Sequence, residues 1–177
     1  MRIISGKHKG RKLQAPTKLP VRPTTDRAKE ALFNWLEHRY ALDELVWLDL
    51  FAGTGNMSFE AASRGCLQLT AVDKHPACCK YIRETAQHLE MPIQVIQADV
   101  FQWVEKGSLQ ADIIFADPPY DHPQLRQLPE MAQQFNLLNT NGILILEHPL
   151  HLKFEQAAGF IESRAYGQSV FSIFEFS

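Results

Sequence analysis

Four short apolar runs, 46–51, 67–72, 93–98 and 110–116, alternate along this chain with segments of helical spacing. Each run holds or is followed by an aspartate, at Asp49, Asp73, Asp99 and Asp117. Apolar runs of this length, without strict polar alternation, are what a parallel sheet covered on both faces requires. Strand and helix in alternation predict a doubly wound α/β domain, which binds ligands at the carboxyl ends of its strands. The acids would then gather along one edge of the sheet.

The first run leads through Phe51 and Ala52 into a glycine turn, Gly53-Thr54-Gly55, and then a helix over about 56–64. Two glycines let the backbone turn tightly and approach a ligand, and the helix points its positive end at that ligand. Ser58 stands where a dinucleotide fingerprint would carry its third glycine. Asp73, eighteen residues beyond Gly55, is placed to accept from ribose hydroxyls, and Asp99 from an adenine amino group. A nucleoside pocket follows, with a packing turn as the bland alternative. Asp49 would repel phosphates and attract an amine or sulfonium, which with Ser58 favours S-adenosyl-L-methionine over a dinucleotide.

The fourth run ends in Asp117-Pro118-Pro119-Tyr120. An exocyclic amine of a nucleobase is a poor nucleophile, because its lone pair is delocalised into the ring. A carboxylate and a backbone carbonyl accepting its two N–H bonds would aim it at a methyl donor, while an aromatic ring stacks on the base. Asp117, the Pro118 carbonyl and Tyr120 supply these parts, and successive prolines stiffen the loop. The bland alternative is a Pro-Pro pair that only ends a strand.

Charge is unevenly spread. Residues 1–30 carry +7, while the whole chain carries −2, so the remainder carries −9. A basic arm on an acidic body is the footprint of phosphate-backbone contact. The arm reads as a β-hairpin with a cationic tip at Lys7 and Lys9, between Arg2-Ile3-Ile4-Ser5 and Arg11-Lys12-Leu13. A solvated edge hairpin is its plainer reading.

The strings Arg2 to Leu13, Arg22 to Phe33, Asp49 to Gly55 and Asp117 to Tyr120 together resemble the bacterial 16S rRNA (guanine-N2)-methyltransferase family, of the type acting at guanine 966. The resemblance covers nearly the whole chain. The first two strings are its specific part, since Asp-Pro-Pro-Tyr is shared by many amino-group methyltransferases. It implies a class I, Rossmann-like methyltransferase fold, with a mostly parallel seven-stranded sheet whose last strand is antiparallel, plus a small N-terminal β-hairpin. It implies S-adenosyl-L-methionine as donor and 16S rRNA or the small ribosomal subunit as partner. By position it implies cofactor binding at Asp49, Phe51, Gly53, Gly55, Asp73, Lys74, Asp99, Val100 and Asp117. Catalysis falls to Asp117, Pro118, Pro119 and Tyr120. The charge of the N-terminal segment points to RNA contact at Arg2, Lys7, Lys9, Arg11, Lys12, Arg22 and Arg27, with one of Arg22 and Arg27 open to meeting the cofactor carboxylate instead. Asn56-Met57-Ser58 departs from the smaller residues expected there. An adenine-N6 methyltransferase, a nicotinamide dehydrogenase and a non-catalytic rRNA-binding assembly factor remain as alternatives.

The expected organisation is a basic arm over 1–22 and one methyltransferase domain over 23–177, a size that suits a single core. No run reaches membrane-spanning length and Met1 is followed by basic residues, so a cytoplasmic monomer is expected. Cys66, Cys78 and Cys79 lack metal-ligand spacing, so packed thiols and no metal are expected. The remaining elements are a helix begun by Thr24 or Thr25 and running through Leu36, a helix opened by Pro76, a turn through Phe101 and Trp103, a helix over about 124–135, a strand at 143–147, and a terminal hairpin of 160–165 and 170–176. Glu147-His148-Pro149 ends that strand near the pocket edge, where His148 reads as a turn residue with substrate contact as the alternative, and Trp35, Trp47 and Trp103 read as core.

Overall fold

The computed structural model describes residues 1–15, 24–107 and 109–176. Among these residues seven strands form one sheet: β1 (Val46–Leu50), β2 (Gln68–Asp73), β3 (Ile93–Gln97), β4 (Ala111–Ala116), β5 (Leu138–Pro149), β6 (Phe160–Tyr166) and β7 (Ser169–Glu175). Their order is β3-β2-β1-β4-β5-β7-β6. The first five pair in parallel, and β7 runs antiparallel to both β5 and β6. The direction of winding reverses between β1 and β4, which opens a crevice at their carboxyl ends.

Helices α1 (Asp26–Glu37), α2 (Asn56–Ser63), α3 (Pro76–His88), α4 (Val100–Val104) and α5 (Leu128–Gln134) cover the sheet. The period-2 alternation of the strands sorts the core. Trp47, Ile113, Phe115, Ile143 and Ile145 pack with Leu32, Phe33 and Leu36 of α1. Their neighbours Leu48, Ile114, Leu144 and Leu146 pack with α4 and α5. Trp47 is fully buried and stacks on Phe33 at 5.3 Å, whereas Trp35 and Trp103 are only half-buried. The three cysteines are buried free thiols. Among the described residues no helix is long and apolar enough to cross a membrane.

Some elements differ from the sequence reading. The turn through Phe101 and Trp103 is the short helix α4, because the Asp99 carboxylate caps it by accepting from the Gln102 N–H at 3.2 Å. The helix expected over 124–135 is split, with a 3-10 turn at Leu125–Gln127 ahead of α5. Strand β5 begins five residues earlier than the expected 143 and continues through Pro149, so His148 is a buried strand residue whose Nε2 lies 2.7 Å from Ser172 Oγ, not a turn residue. Ahead of 143 the strand passes through Asn139-Thr140-Asn141-Gly142 by a register shift against β4, with Asn141 at φ 63°.

The N-terminal arm is a short hairpin in which Arg2 bridges Lys12 and the Ile3, Gly10 and Leu13 N–H groups donate to the Arg11, Ile3 and Met1 carbonyls at 3.0, 2.8 and 3.0 Å. The body beneath adds to its order. Ile3 and Leu13 join Phe59 and Ile82 in one apolar cluster. The Lys7 N–H donates to the Ser63 carbonyl at 2.7 Å, and the His8 N–H to Ser63 Oγ at 3.0 Å. Gly6, at φ +81°, presses so closely on the Ser63 carbonyl that a β-carbon there would overlap it.

Beneath the arm lies a buried ion cluster. Lys29 Nζ sits 3.3 Å from Glu60 Oε2 and donates to the Arg2 carbonyl at 2.6 Å. Glu60 also accepts from the Ile4 and Ser5 N–H groups at 2.8 and 3.1 Å and from Arg64 Nε at 2.8 Å. Lys29 and Glu60 expose only 1% and 0% of their side chains. Glu60→Ala therefore strands a buried ammonium and two arm N–H groups, and should cost about 3–5 kcal/mol of unfolding free energy in urea titration. Removing Glu84, which pairs with Lys80 at 3.8 Å on the surface, should cost less than about 1 kcal/mol in the same assay.

Candidate active site

The carboxyl ends of β1, β2 and β4, the start of α1 and the β6–β7 turn enclose a cavity of about 920 Å³. The expected residues Asp49, Phe51, Gly53, Asp73, Lys74, Asp99, Val100, Asp117, Pro118, Pro119 and Tyr120 all line it. Gly55 does not. It is the N-cap of α2 at φ +74°, where a β-carbon would press on Ile82 and Phe59 at 3.0 Å, so its task is to turn the chain behind the wall.

Asp49 is buried at the end of β1, and one of its oxygens accepts from the Ser58 hydroxyl at 2.5 Å and the Ser58 N–H at 3.1 Å. The serine that replaces a fingerprint glycine thus holds the acid at the start of α2. Burial pushes the Asp49 carboxyl up to about 7, against the two Ser58 hydrogen bonds, and neighbouring Asp73 adds to the rise. Asp73 accepts from the Gly53 N–H through one oxygen and the His75 N–H through the other, both at 2.8 Å. It therefore locks the glycine turn, while each oxygen keeps a lone pair for a ligand. Phe51 stands at φ 63°, a conformation that costs a bulky residue and recurs where a site over-determines the backbone. Its ring leans on Phe101 at 5.4 Å, and Phe101 stacks on His122 at 4.3 Å.

The Asp-Pro-Pro-Tyr loop leaves β4 directly, with the Asp117 N–H bonded to the Leu50 carbonyl at 3.3 Å. The Tyr120 hydroxyl lies 2.9 Å from Ser169 Oγ and donates to Glu147 Oε1 at 3.3 Å. Burial raises the phenol to about 12, and Glu147 and Asp117 add to that, while the bond with Ser169 lowers it, so Tyr120 stays protonated. The other Glu147 oxygen accepts from Thr24 Oγ1 at 2.8 Å. The Thr24 carbonyl accepts from Asn56 Nδ2 at 3.0 Å, and Asn56 Oδ1 from Lys29 Nζ at 2.8 Å.

Thr24, Ser169 and His122 line the cavity without having been singled out in the sequence for it, and Glu147, expected only near the pocket edge, lines it too. For Glu147 a signal existed, since it ends an apolar run as Asp73, Asp99 and Asp117 do. The others depend on tertiary contact alone.

Of the seven basic residues assigned to RNA, Arg27 is exposed and lines the cavity. Arg2, Lys7, Lys9, Arg11 and Lys12 are exposed along the arm and do not line it. Arg2 also pairs with Asp26 at 3.5 Å. Arg22 lies outside the described residues. Among the described residues no group of three or more His, Cys, Asp or Glu is arranged to hold a metal ion.

Comparison with known proteins bears on this site. The profile of the family described as Conserved hypothetical protein 95 matches residues 1–175. The Escherichia coli (strain K12) protein named ribosomal RNA small subunit methyltransferase D is 31% identical over 160 residues, covering 90% of this chain and 77% of that protein. A hypothetical protein of Thermus thermophilus superposes with a TM-score of 0.86 at 28% identity, over 99% of each chain. A T. thermophilus 16S rRNA N2 G1207 methyltransferase, solved with AdoMet and guanosine, shares the fold at a TM-score of 0.69 and 19% identity, over 89% of this chain and 45% of that one. The parallel sheet with its antiparallel β7 is the class I methyltransferase fold. The chain belongs to the Conserved hypothetical protein 95 family, that of the ribosomal RNA small subunit methyltransferase D proteins.

Proposed function

We propose that this protein transfers the methyl group of S-adenosyl-L-methionine to the exocyclic N2 of one guanine in 16S rRNA, within the small subunit or an assembly intermediate. The observation that carries this reading is a single cavity walled on one side by the glycine turn with Asp49 and Asp73, and on the other by Asp117 to Tyr120. At about 920 Å³ it has room for a nucleoside donor and a target base together.

The residues present fit the donor. Gly53 brings backbone to the cavity wall, Asp73 and Asp99 offer acceptors to a nucleoside, and Asp49 is an acid suited to a cationic centre. The Ser58 N–H at the start of α2 is taken by Asp49, which disfavours a pyrophosphate there and argues against the dehydrogenase alternative. S-adenosyl-L-methionine, when bound, supplies an electrophilic methyl on a positively charged sulfur.

The remaining work belongs to the chain. Asp117 and the Pro118 carbonyl accept from the amine and turn its lone pair toward the methyl, and Tyr120 stacks on a base taken out of its helix. An N–C bond forms as the S–C bond breaks. The alkylated amine is strongly acidic, so its proton passes to water without a dedicated base. The exposed cations of the arm, with Arg22 and Arg27, would hold phosphates.

The names of the relatives support a small-subunit rRNA substrate. The structural neighbour described as an N2-guanine methyltransferase supports the view that this fold accommodates that target.

Labelled methyl transfer to 16S rRNA, naked and in subunits lacking the modification, followed by nucleoside digestion, tests the reading. N2-methylguanosine is the expected product. N6-methyladenosine would move the assignment to the adenine enzyme, and tight rRNA binding without transfer would move it to an assembly factor. Asp117→Ala should lower kcat by about a thousandfold or more, with the Kd for S-adenosyl-L-methionine changed less than about threefold.

Asp49 gives a pH signature. It is neutral below about 7 and charged above, so its attraction for the sulfonium grows as pH rises. The preference for S-adenosyl-L-methionine over S-adenosylhomocysteine, which differs by that charge, should rise about three- to tenfold from pH 6 to pH 8 in calorimetric titration. His75 and His122 also line the cavity. Asp49→Asn should flatten the ratio if Asp49 is its source.

A further inference from the structure

Glu147 is a buried carboxylate, 3% exposed, on the wall of the cavity that holds the Asp117 loop. It has no ion-pair partner among the described residues; its partners there are two hydroxyls. Thr24 Oγ1 donates to one oxygen at 2.8 Å and the Tyr120 hydroxyl to the other at 3.3 Å. Tethering two hydroxyls does not require a charge, since a neutral amide would serve at a lower desolvation cost. A carboxylate accepts about four hydrogen bonds, and among the described residues each oxygen takes only one. A buried carboxyl group with no cation beside it among the described residues, facing a substrate cavity, is placed to receive N–H bonds.

The bases that carry exocyclic amines differ in what stands next to the amine. In adenine and cytosine, the ring nitrogen beside it on the Watson–Crick edge is an acceptor. In guanine that nitrogen is N1, which carries a hydrogen. Asp117 alone accepts from any of the three amines. A second acceptor alongside accepts from guanine N1–H and meets a lone pair in the other two. Glu147 and Asp117 share the cavity, and Tyr120, three residues from Asp117, bonds directly to Glu147.

We propose that Glu147 is the residue that selects guanine, its carboxylate accepting from N1–H while Asp117 accepts from the N2 amine. This rests on the guanine-N2 reading above. Thr24 and Tyr120 fix the carboxylate's orientation, and Ser169 fixes Tyr120 in turn. Selection of this kind is strong because the wrong base leaves the buried acceptor unsatisfied.

The test replaces the target guanine by 2-aminopurine, which keeps the 2-amino group but bears an unprotonated N1, in a reconstituted rRNA substrate. Wild-type kcat/KM should fall at least about tenfold on that change. Glu147→Gln, nearly isosteric and able to donate as well as accept, should shrink the guanine to 2-aminopurine ratio at least about fivefold relative to wild type, with S-adenosyl-L-methionine affinity unchanged. Comparing the ratio between the two proteins cancels the intrinsic reactivity of the two amines, and a merely structural glutamate would not move it. Equal wild-type rates on both bases, or a ratio unaltered in Glu147→Gln, would overturn the assignment and leave guanine methylation standing. Wild-type transfer to adenine in place of guanine would overturn both.

Discussion

Lys29 and Glu60 meet 3.3 Å apart with almost no exposure, and three parts of the molecule are held by that pair. Lys29 belongs to α1 and Glu60 to α2, while the Arg2 carbonyl and the Ile4 and Ser5 N–H groups belong to the arm. Burial drives the Lys29 ammonium below its usual range, and Glu60 raises it again by charge and by hydrogen bonding. Neither ion is tolerable there without the other. The hairpin's own backbone bonds join its two strands, while this cluster and Ser63 fix how the hairpin sits on the body. The same ammonium reaches Asn56, and through Asn56 the contacts pass to Thr24, Glu147 and Tyr120. The arm and the Asp-Pro-Pro-Tyr loop thus stand at two ends of one hydrogen-bonded series. Partly satisfied, such a network costs more than an apolar core; fully satisfied, it specifies one arrangement.

The cavity concentrates unfavourable terms that this framework has to offset. Asp49 is a buried acid beside Asp73, Phe51 holds a positive φ, and Glu147 has no cation among the described residues. Each would relax if its surroundings gave way. The strands β1 and β4, fully paired and packed on both faces, do not give way, and the turn above them is locked by Asp73 to Gly53. Strain and buried charge collect at sites where a ligand supplies the missing partner.

Much of the fold was legible because it depends on local pattern. Apolar runs of strand length, acids at their ends, the glycine turn and Pro76 at a helix start each act through near neighbours, and the winding of the sheet follows from their alternation. The failures have physical reasons. The early start of β5 at Leu138 depends on a register shift against β4, which nothing in the strand's own segment shows. The cap on α4 belongs to Asp99, whose expected role was toward a ligand. At the site, Asp49, Asp73 and the Asp117 loop were legible as residues that come together at one cavity. Thr24, Asn56 and Ser169 were not, because nothing in their own segments distinguishes a buried network member from a cap or a turn residue. Glu147 shows the same gap from the other side. Its position at a strand end matched the rule that found the other acids, but the His-Pro that follows it drew attention to a turn that does not form.

Under the proposed function, affinity and selectivity reside in separate parts. Arg2, Lys7, Lys9, Arg11 and Lys12 are exposed and lie off the cavity wall, so contacts they make are to backbone phosphates, which carry no base identity. Such contacts hold ground state and transition state alike, and accelerate the reaction only if they also place the target base. Placement needs a rigid path from the arm to the reacting loop, and a basic tail on a flexible linker would not give one. The docking of Gly6 on Ser63 and the buried Lys29–Glu60 pair provide that rigidity. Base identity is then left to the acceptors Asp117 and Glu147, which can be demanding because they do not also have to supply the binding energy.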